Sequence, residues 1–129
     1  MIVLTSKGII FALILALVLI VDANSGEVVV LTTENFDSVV NGNITAVVDF
    51  YTLYSGESKN LAPHFARAAE ALRDSPVIFG KVDITTEKEL ASRFQIAHVP
   101  TILGYLAGRN GIYLKYNGDK IAGGKREAN

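Results

Sequence analysis

The chain contains no cysteine. That absence removes every function built on sulfur: no disulfide framework, no thiolate metal site and no catalytic thiol. Histidine is almost as scarce, with two residues in 129, so a structural zinc site lacks its ligands. There is no surplus of basic charge. Twelve Lys and Arg against thirteen Asp and Glu leave a formal net charge of −1, which supplies neither a nucleic-acid footprint nor a cationic membrane surface. No internal repeat or low-complexity tract is present. Neither a metal nor a cofactor is therefore expected. What the chain does have is a 50% apolar composition over a length suited to one domain, enough for a packed core and too much for disorder.

The longest hydrophobic run is Ile9 to Val21, thirteen apolar residues preceded by Lys7. A single positive charge, an apolar stretch and the short side chains of Asp22 and Ala23 form the pattern of a secretory signal peptide, with cleavage expected after Ala23. The competing reading is an uncleaved anchor, the one case in which a membrane would be a partner. Thirteen helical residues reach about 20 Å, short of the roughly 30 Å hydrocarbon core, so cleavage is favoured. Both readings deliver the rest of the chain to the secretory pathway, in the endoplasmic reticulum lumen or secreted. Asn43-Ile44-Thr45 is an N-glycosylation sequon between an amphipathic segment and a strand, where the asparagine is a glycan acceptor or an unmodified turn residue.

From Glu27 onward the segment types alternate. Val28 to Leu31 reads as a strand. Thr32 or Thr33 can cap a helix that carries Phe36, Val39 and Val40 on one face, ended by Asn41-Gly42-Asn43. Thr45 to Tyr51 is β-branched and aromatic without alternation, as a fully buried strand is. Ser58 to Arg73 has Leu61, Phe65, Ala68, Ala69 and Leu72 at helical spacing, with Pro63 expected to kink it. Val77 to Val82 is the next strand. Thr85 or Thr86 caps a helix to about Phe94. Thr101 to Leu106 and Ile112 to Tyr116 read as a hairpin. The order βαβαβα then ββ predicts a three-layer α/β domain over residues 24–129, its mixed sheet parallel where helices intervene and antiparallel at the end.

Sites in such sheets form beyond the carboxyl ends of the strands. The segment there is Thr52-Leu53-Tyr54-Ser55-Gly56-Glu57-Ser58-Lys59. Together with Val47-Val48-Asp49-Phe50-Tyr51 before it and Leu61-Ala62-Pro63 after it, this segment resembles the active-site region of thioredoxins and of protein disulfide isomerase domains. Gly80-Lys81-Val82-Asp83, the run from Glu89 to Phe94 and Val99-Pro100-Thr101 are similar to later landmarks of the same family. The resemblance implies a thioredoxin-like fold. It departs at the decisive place. The family pattern is Trp-Cys-Gly-x-Cys-Lys, whereas this chain has Tyr54-Ser55-Gly56-Glu57-Ser58-Lys59. Serine oxygen cannot take part in thiolate attack on a disulfide, so no catalytic residue carries over and the positions Ser55, Gly56, Glu57 and Ser58 are a degenerate active site. The chain is thus expected not to be an oxidoreductase.

The remaining correspondences imply roles that need no thiol. Asp49 matches the family's buried acid and Lys81 its neighbouring lysine; the two are expected to be hydrogen-bonded, since buried charges persist when paired. Pro100 matches the family's cis-proline, and in the family the backbone of the residue before it, here Val99, pairs with extended peptides. That contact is main-chain hydrogen bonding. It can survive the loss of cysteine, or Pro100 can simply shape the turn. Leu53 and Tyr54 are candidates for exposed contact. Phe50, Tyr51 and Tyr105 could line a groove with Tyr54, although Phe50 and Tyr51 fit a strand core equally well.

Ser55, Ser58, His64, His98 and Asp49 also invite a Ser-His-Asp hydrolase reading. His64 is six residues beyond Ser58, about 9 Å along a helix, and no Gly-x-Ser-x-Gly elbow is present; Ser58 as helix N-cap is the simpler role. After the hairpin the family carries a covering helix. Here Ile121 to Asn129 has two glycines and no apolar stripe, so that helix is expected to be missing, residues 119–129 frayed, and one sheet face under-covered and open to a protein partner or a second copy. No Lys-Asp-Glu-Leu-type ending encodes retention. The resulting expectation is a redox-inactive, disulfide-isomerase-like domain that holds unfolded or extended polypeptide near Val99 and Pro100, chaperone-like, with a degenerate copy acting through association as the alternative.

Overall fold

The computed structural model of the protein describes residues 26–116 and 126–127. The segment expected to be a signal peptide, its expected cleavage point and most of the 119–129 stretch lie outside those residues.

Each element follows from local sequence. Strands β1 (Val29–Val30), β2 (Thr45–Tyr51) and β3 (Val77–Asp83) are separated by helices α1 (Phe36–Val40) and α2 (Gly56–Ala71). Helix α3 (Lys88–Arg93) leads to β4 (Thr101–Tyr105) and β5 (Tyr113–Tyr116), and Arg126–Glu127 form β6. The β-branched run of β2 occupies the bounds its composition predicts, Thr45–Tyr51. The sheet order is β1-β3-β2-β4-β5-β6. β1, β3 and β2 run parallel, as crossovers through helices require, while β4, β5 and β6 are antiparallel to their neighbours. Residues 126–127 are therefore strand, a difference from the frayed end that the glycine-rich sequence suggests. No described helix follows β5.

Caps differ from their simplest sequence readings. Neither Thr32 nor Thr33 caps α1. Asn35 holds the N-cap position, without a side-chain cap bond; its Oδ1 accepts instead from Thr32 N–H at 2.7 Å. The N-cap of α3 is Glu87, because Thr85 is drawn back to Asp83, donating to Oδ1 from both its N–H and its hydroxyl. Such local side-chain bonds compete with helix initiation.

Two cores lie on the two sides of the sheet. The larger, under α1 and α3, contains Leu31, Phe36, Val48, Phe50, Leu90, Leu103 and Tyr105. Phe36 stands at its centre, with ring centroids of Phe94 at 5.1 Å, Tyr105 at 5.6 Å and Phe50 at 6.4 Å. Gly80 is the close-packed point of β3: a Cβ there would fall 2.5 Å from Leu31 Cδ1. Arg93 ties the two helices by a bidentate pair with Asp37, at 2.8 and 3.1 Å, which holds the Asp37 carboxyl below its ordinary range. The smaller core, under α2, joins Leu61, Phe65 and Ala69 to Phe79.

Tyr105 corrects the sequence reading. It does not line a groove; it is buried in the larger core, as the alternation of Thr101, Leu103 and Tyr105 along β4 dictates. Its hydroxyl makes no hydrogen bond among the described residues, and burial above all pushes its pKa well up. A buried hydroxyl without a partner carries its desolvation penalty uncompensated. Tyr105→Phe is therefore expected to leave stability unchanged or raise it by up to about 2 kcal/mol. A fall of the urea midpoint at constant m-value would show that the hydroxyl is engaged.

Candidate functional site

The antiparallel pairing of Phe50 with Thr101 sets the end of β2 beside the start of β4. Two loops consequently share one end of the sheet: Thr52 to Ser55, which leads into α2, and His98 to Pro100, which leads into β4.

The first loop is closed by Ser55 at its end and by Ser58 in the first turn of α2. Ser55 is the N-cap of α2, its Oγ accepting from Ser58 N–H at 3.2 Å. The helix thus begins at Gly56, and Ser55 takes the capping role that the sequence suggests for Ser58. Ser58 is buried and its Oγ accepts from Thr52 N–H at 3.4 Å. Glu57 lies in the first turn, where an acid suits the positive helix end. Pinned at both ends, the loop turns the two intervening side chains outward: Leu53 is 63% and Tyr54 88% exposed. Exposure of two large apolar side chains in sequence is the feature of this loop that packing does not explain.

The second loop contains a cis peptide between Val99 and Pro100. Pro100 is buried and Val99 half-buried. Thr101 Oγ1 donates to His98 C=O at 2.6 Å and fixes the turn. The N–H and C=O of Val99 make no hydrogen bond among the described residues.

Beneath the first loop is a cleft of about 620 Å3, bounded by Asp49, Tyr51, Leu53, Ser58, Lys59 and Lys81 among others. Asp49 is 4% exposed and is the cross-strand partner of Lys81 in the parallel register. The Lys81 Nζ lies 5.9 Å from the Tyr51 ring centroid. Burial, then the carboxylates of Asp83 and Asp49, raise the Tyr51 phenol. Sequence reasoning singled out Asp49 and Lys81 but missed Lys59 and the cleft itself. The legible signal was the period of two along β2, which places Asp49 and Tyr51 on one face. Phe50, on the other face, is wholly buried.

The geometry does not assemble a hydrolase. Both serine hydroxyls are engaged with loop backbone. His64 is exposed and its Nδ1 is 3.1 Å from an Arg67 nitrogen, and exposed His98 makes no side-chain hydrogen bond among the described residues. No described serine therefore has a histidine base. Among the described residues no group of three or more His, Asp or Glu could hold a metal ion. On the α2 side of the sheet, an open groove of about 270 Å3 is lined by Thr45, Ile102, Leu106 and Leu114.

The strand order, the cis-proline loop and the capped helix after β2 are the architecture of the thioredoxin fold. A thioredoxin family model matches residues 27–124, and the chain belongs to that family. Within it, the chain is similar to protein disulfide isomerases. It is 42% identical over 100 residues to the probable protein disulfide-isomerase A4 of Caenorhabditis elegans, covering 76% of this chain and 16% of that protein. It is 42% identical over 93 residues to human protein disulfide-isomerase A4, covering 70% and 14%. Among solved structures, human ERp44 superposes with a TM-score of 0.66 at 30% identity, over 73% of this chain and 28% of that one. Spinach chloroplast thioredoxin f gives 0.60 at 32% identity, over 69% and 74%. The chain spans about one sixth of the length of the A4 relatives.

Proposed function

We propose that this domain holds unfolded or extended polypeptide in the secretory pathway without performing dithiol exchange. The carrying observation is the backbone of Val99: an N–H and a C=O without partners among the described residues, on a cis-proline loop beside exposed Leu53 and Tyr54. A peptide laid along this loop would gain main-chain bonds from Val99 and apolar contact from Leu53 and Tyr54, the combination that strand-like recognition uses. These contacts need no sulfur, and the 129 residues contain none except the methionine thioether. The likeness to protein disulfide isomerases supports both the polypeptide ligand and the secretory compartment.

The test is an NMR titration with a permanently unfolded peptide. The amides of Tyr54, Ser55 and Val99 are expected to shift together and saturate. The double substitution Leu53→Ala and Tyr54→Ala should weaken binding at least tenfold, about 1.4 kcal/mol. Leu72→Ala removes an exposed apolar side chain at the opposite end of α2 and should change nothing. Equal losses from both variants would reduce the site to nonspecific adhesion and sink the proposal.

A second reading, association through the sheet face, is supported by the open groove along Ile102, Leu106 and Leu114. Sedimentation across a hundredfold concentration range separates the two, since peptide holding predicts a monomer throughout.

A further inference from the structure

We infer that Asn43 carries an N-linked glycan, placed at the end of the sheet remote from the polypeptide-binding loops. The inference rests on the secretory reading given above, since attachment occurs only there. The sequence supplies the acceptor triplet Asn43-Ile44-Thr45, and no other asparagine of the chain is followed two residues later by serine or threonine. A triplet alone is common. The structure adds three independent conditions that a modified asparagine must meet.

The first is access. Asn43 is exposed, in the loop of residues 41–44 between α1 and β2. The second is freedom of the amide itself. Asn43 makes no hydrogen bond among the described residues, whereas its neighbours are committed: Asn41 N–H donates to Asp37 C=O, and Gly42 C=O accepts from Gly108 N–H. Derivatising the Asn43 nitrogen breaks nothing. By contrast Asn35, also in a turn, uses both ends of its amide, accepting from Thr32 and donating to Val30 C=O. The third is compatibility with the site. Asn43 precedes β2, and Leu53 and Tyr54 follow it. The strand between has seven residues, so about 20 Å of sheet separates glycan and binding loop at about 3.3 Å per residue. A sugar tree can stand at that end without screening Val99 or Tyr54.

The experiment expresses the full chain in a secreting eukaryotic cell, once with its own N-terminus and once behind a heterologous secretory leader. Peptide:N-glycosidase is expected to collapse a single retarded band to the unmodified mass in both, with conversion of Asn43 to aspartate read by mass spectrometry. Asn43→Gln should abolish the retarded band completely. Thr45→Ala should do the same and Thr45→Ser should retain it. The serine control matters because Thr45 Oγ1 also accepts from Ala107 N–H at 3.3 Å, and serine keeps that bond. Secreted but unmodified protein behind the heterologous leader would overturn the glycan assignment while leaving the compartment intact. Modification behind the heterologous leader but not behind the chain's own N-terminus would overturn the proposal for the native protein through its secretory premise, and would leave Asn43 as a competent acceptor.

Discussion

Phe36→Ala is expected to lower stability by about 3–5 kcal/mol. Phe36 has no exposed surface, so the whole ring comes out of a close-packed interior and leaves a cavity. Three aromatic neighbours, Phe50, Phe94 and Tyr105, then lose a partner, and well-placed aromatic pairs contribute beyond their area. The surroundings can relax little. Val48, Val82 and Leu103 are held on the sheet, and Leu90 comes from a separate helix. A domain of this size has roughly 5–15 kcal/mol in all, so the variant sits near the edge of folding, with a melting temperature lower by tens of degrees. Phe36→Leu, which keeps most of the volume, should lose less than half as much. Urea unfolding followed by circular dichroism measures both. A loss below 1 kcal/mol for the alanine variant would mean that α1 is not a fixed part of the core.

Replacing Ser55 and Ser58 together by cysteine is expected to create dithiol–disulfide exchange at a site that holds two hydroxyls. The two positions already have the asymmetry that such chemistry uses: Ser55 is partly accessible at the helix start, and Ser58 is 3% exposed behind it. A thiol at the Ser55 position meets the positive end of a sixteen-residue helix, which favours thiolate and lowers its pKa. The expected readout is insulin-reduction turnover rising from background, with a reduction potential between about −270 and −180 mV, the span of thioredoxin and protein disulfide isomerase. Ser55→Cys alone should form mixed disulfides and stop there, having no second thiol to resolve them. If the double variant folds, titrates two thiols and still fails to turn over, the loops have lost more than their sulfurs, and the proposed peptide binding comes into question with them.

The parts of this fold that were legible in sequence are those set by local pattern. β2 was bounded correctly by a run of seven residues that only a buried strand accommodates. The hairpin of β4 and β5 was visible from its turn. Where the readings failed, a competing interaction decided. The start of α2 was set three residues late because Gly56 is a poor helix former, whereas Ser55 followed by an acid and then by Ser58 N–H is a good cap. The start of α3 was misread because Asp83 captures Thr85. The cleft beside Asp49 was invisible because it depends on the parallel register of β2 with β3, which no single segment encodes. The exposure of Leu53 and Tyr54, by contrast, is legible from their place in the strand-to-helix loop, between Thr52 and the Ser55 cap.

The serine pair at the head of α2 has a wider meaning. A dithiol domain exists in two chemical forms, and the surface around its active site changes whenever the glutathione balance of its surroundings changes. With hydroxyls at both positions, Ser55 still caps the helix and Ser58 still closes the loop, but there is only one form. The face carrying Leu53, Tyr54 and Val99 keeps the same shape in an oxidising or a reducing medium. If this face holds polypeptide as proposed, its grip is expected to be insensitive to redox poise, with release driven by competition or folding of the bound chain rather than by electrons.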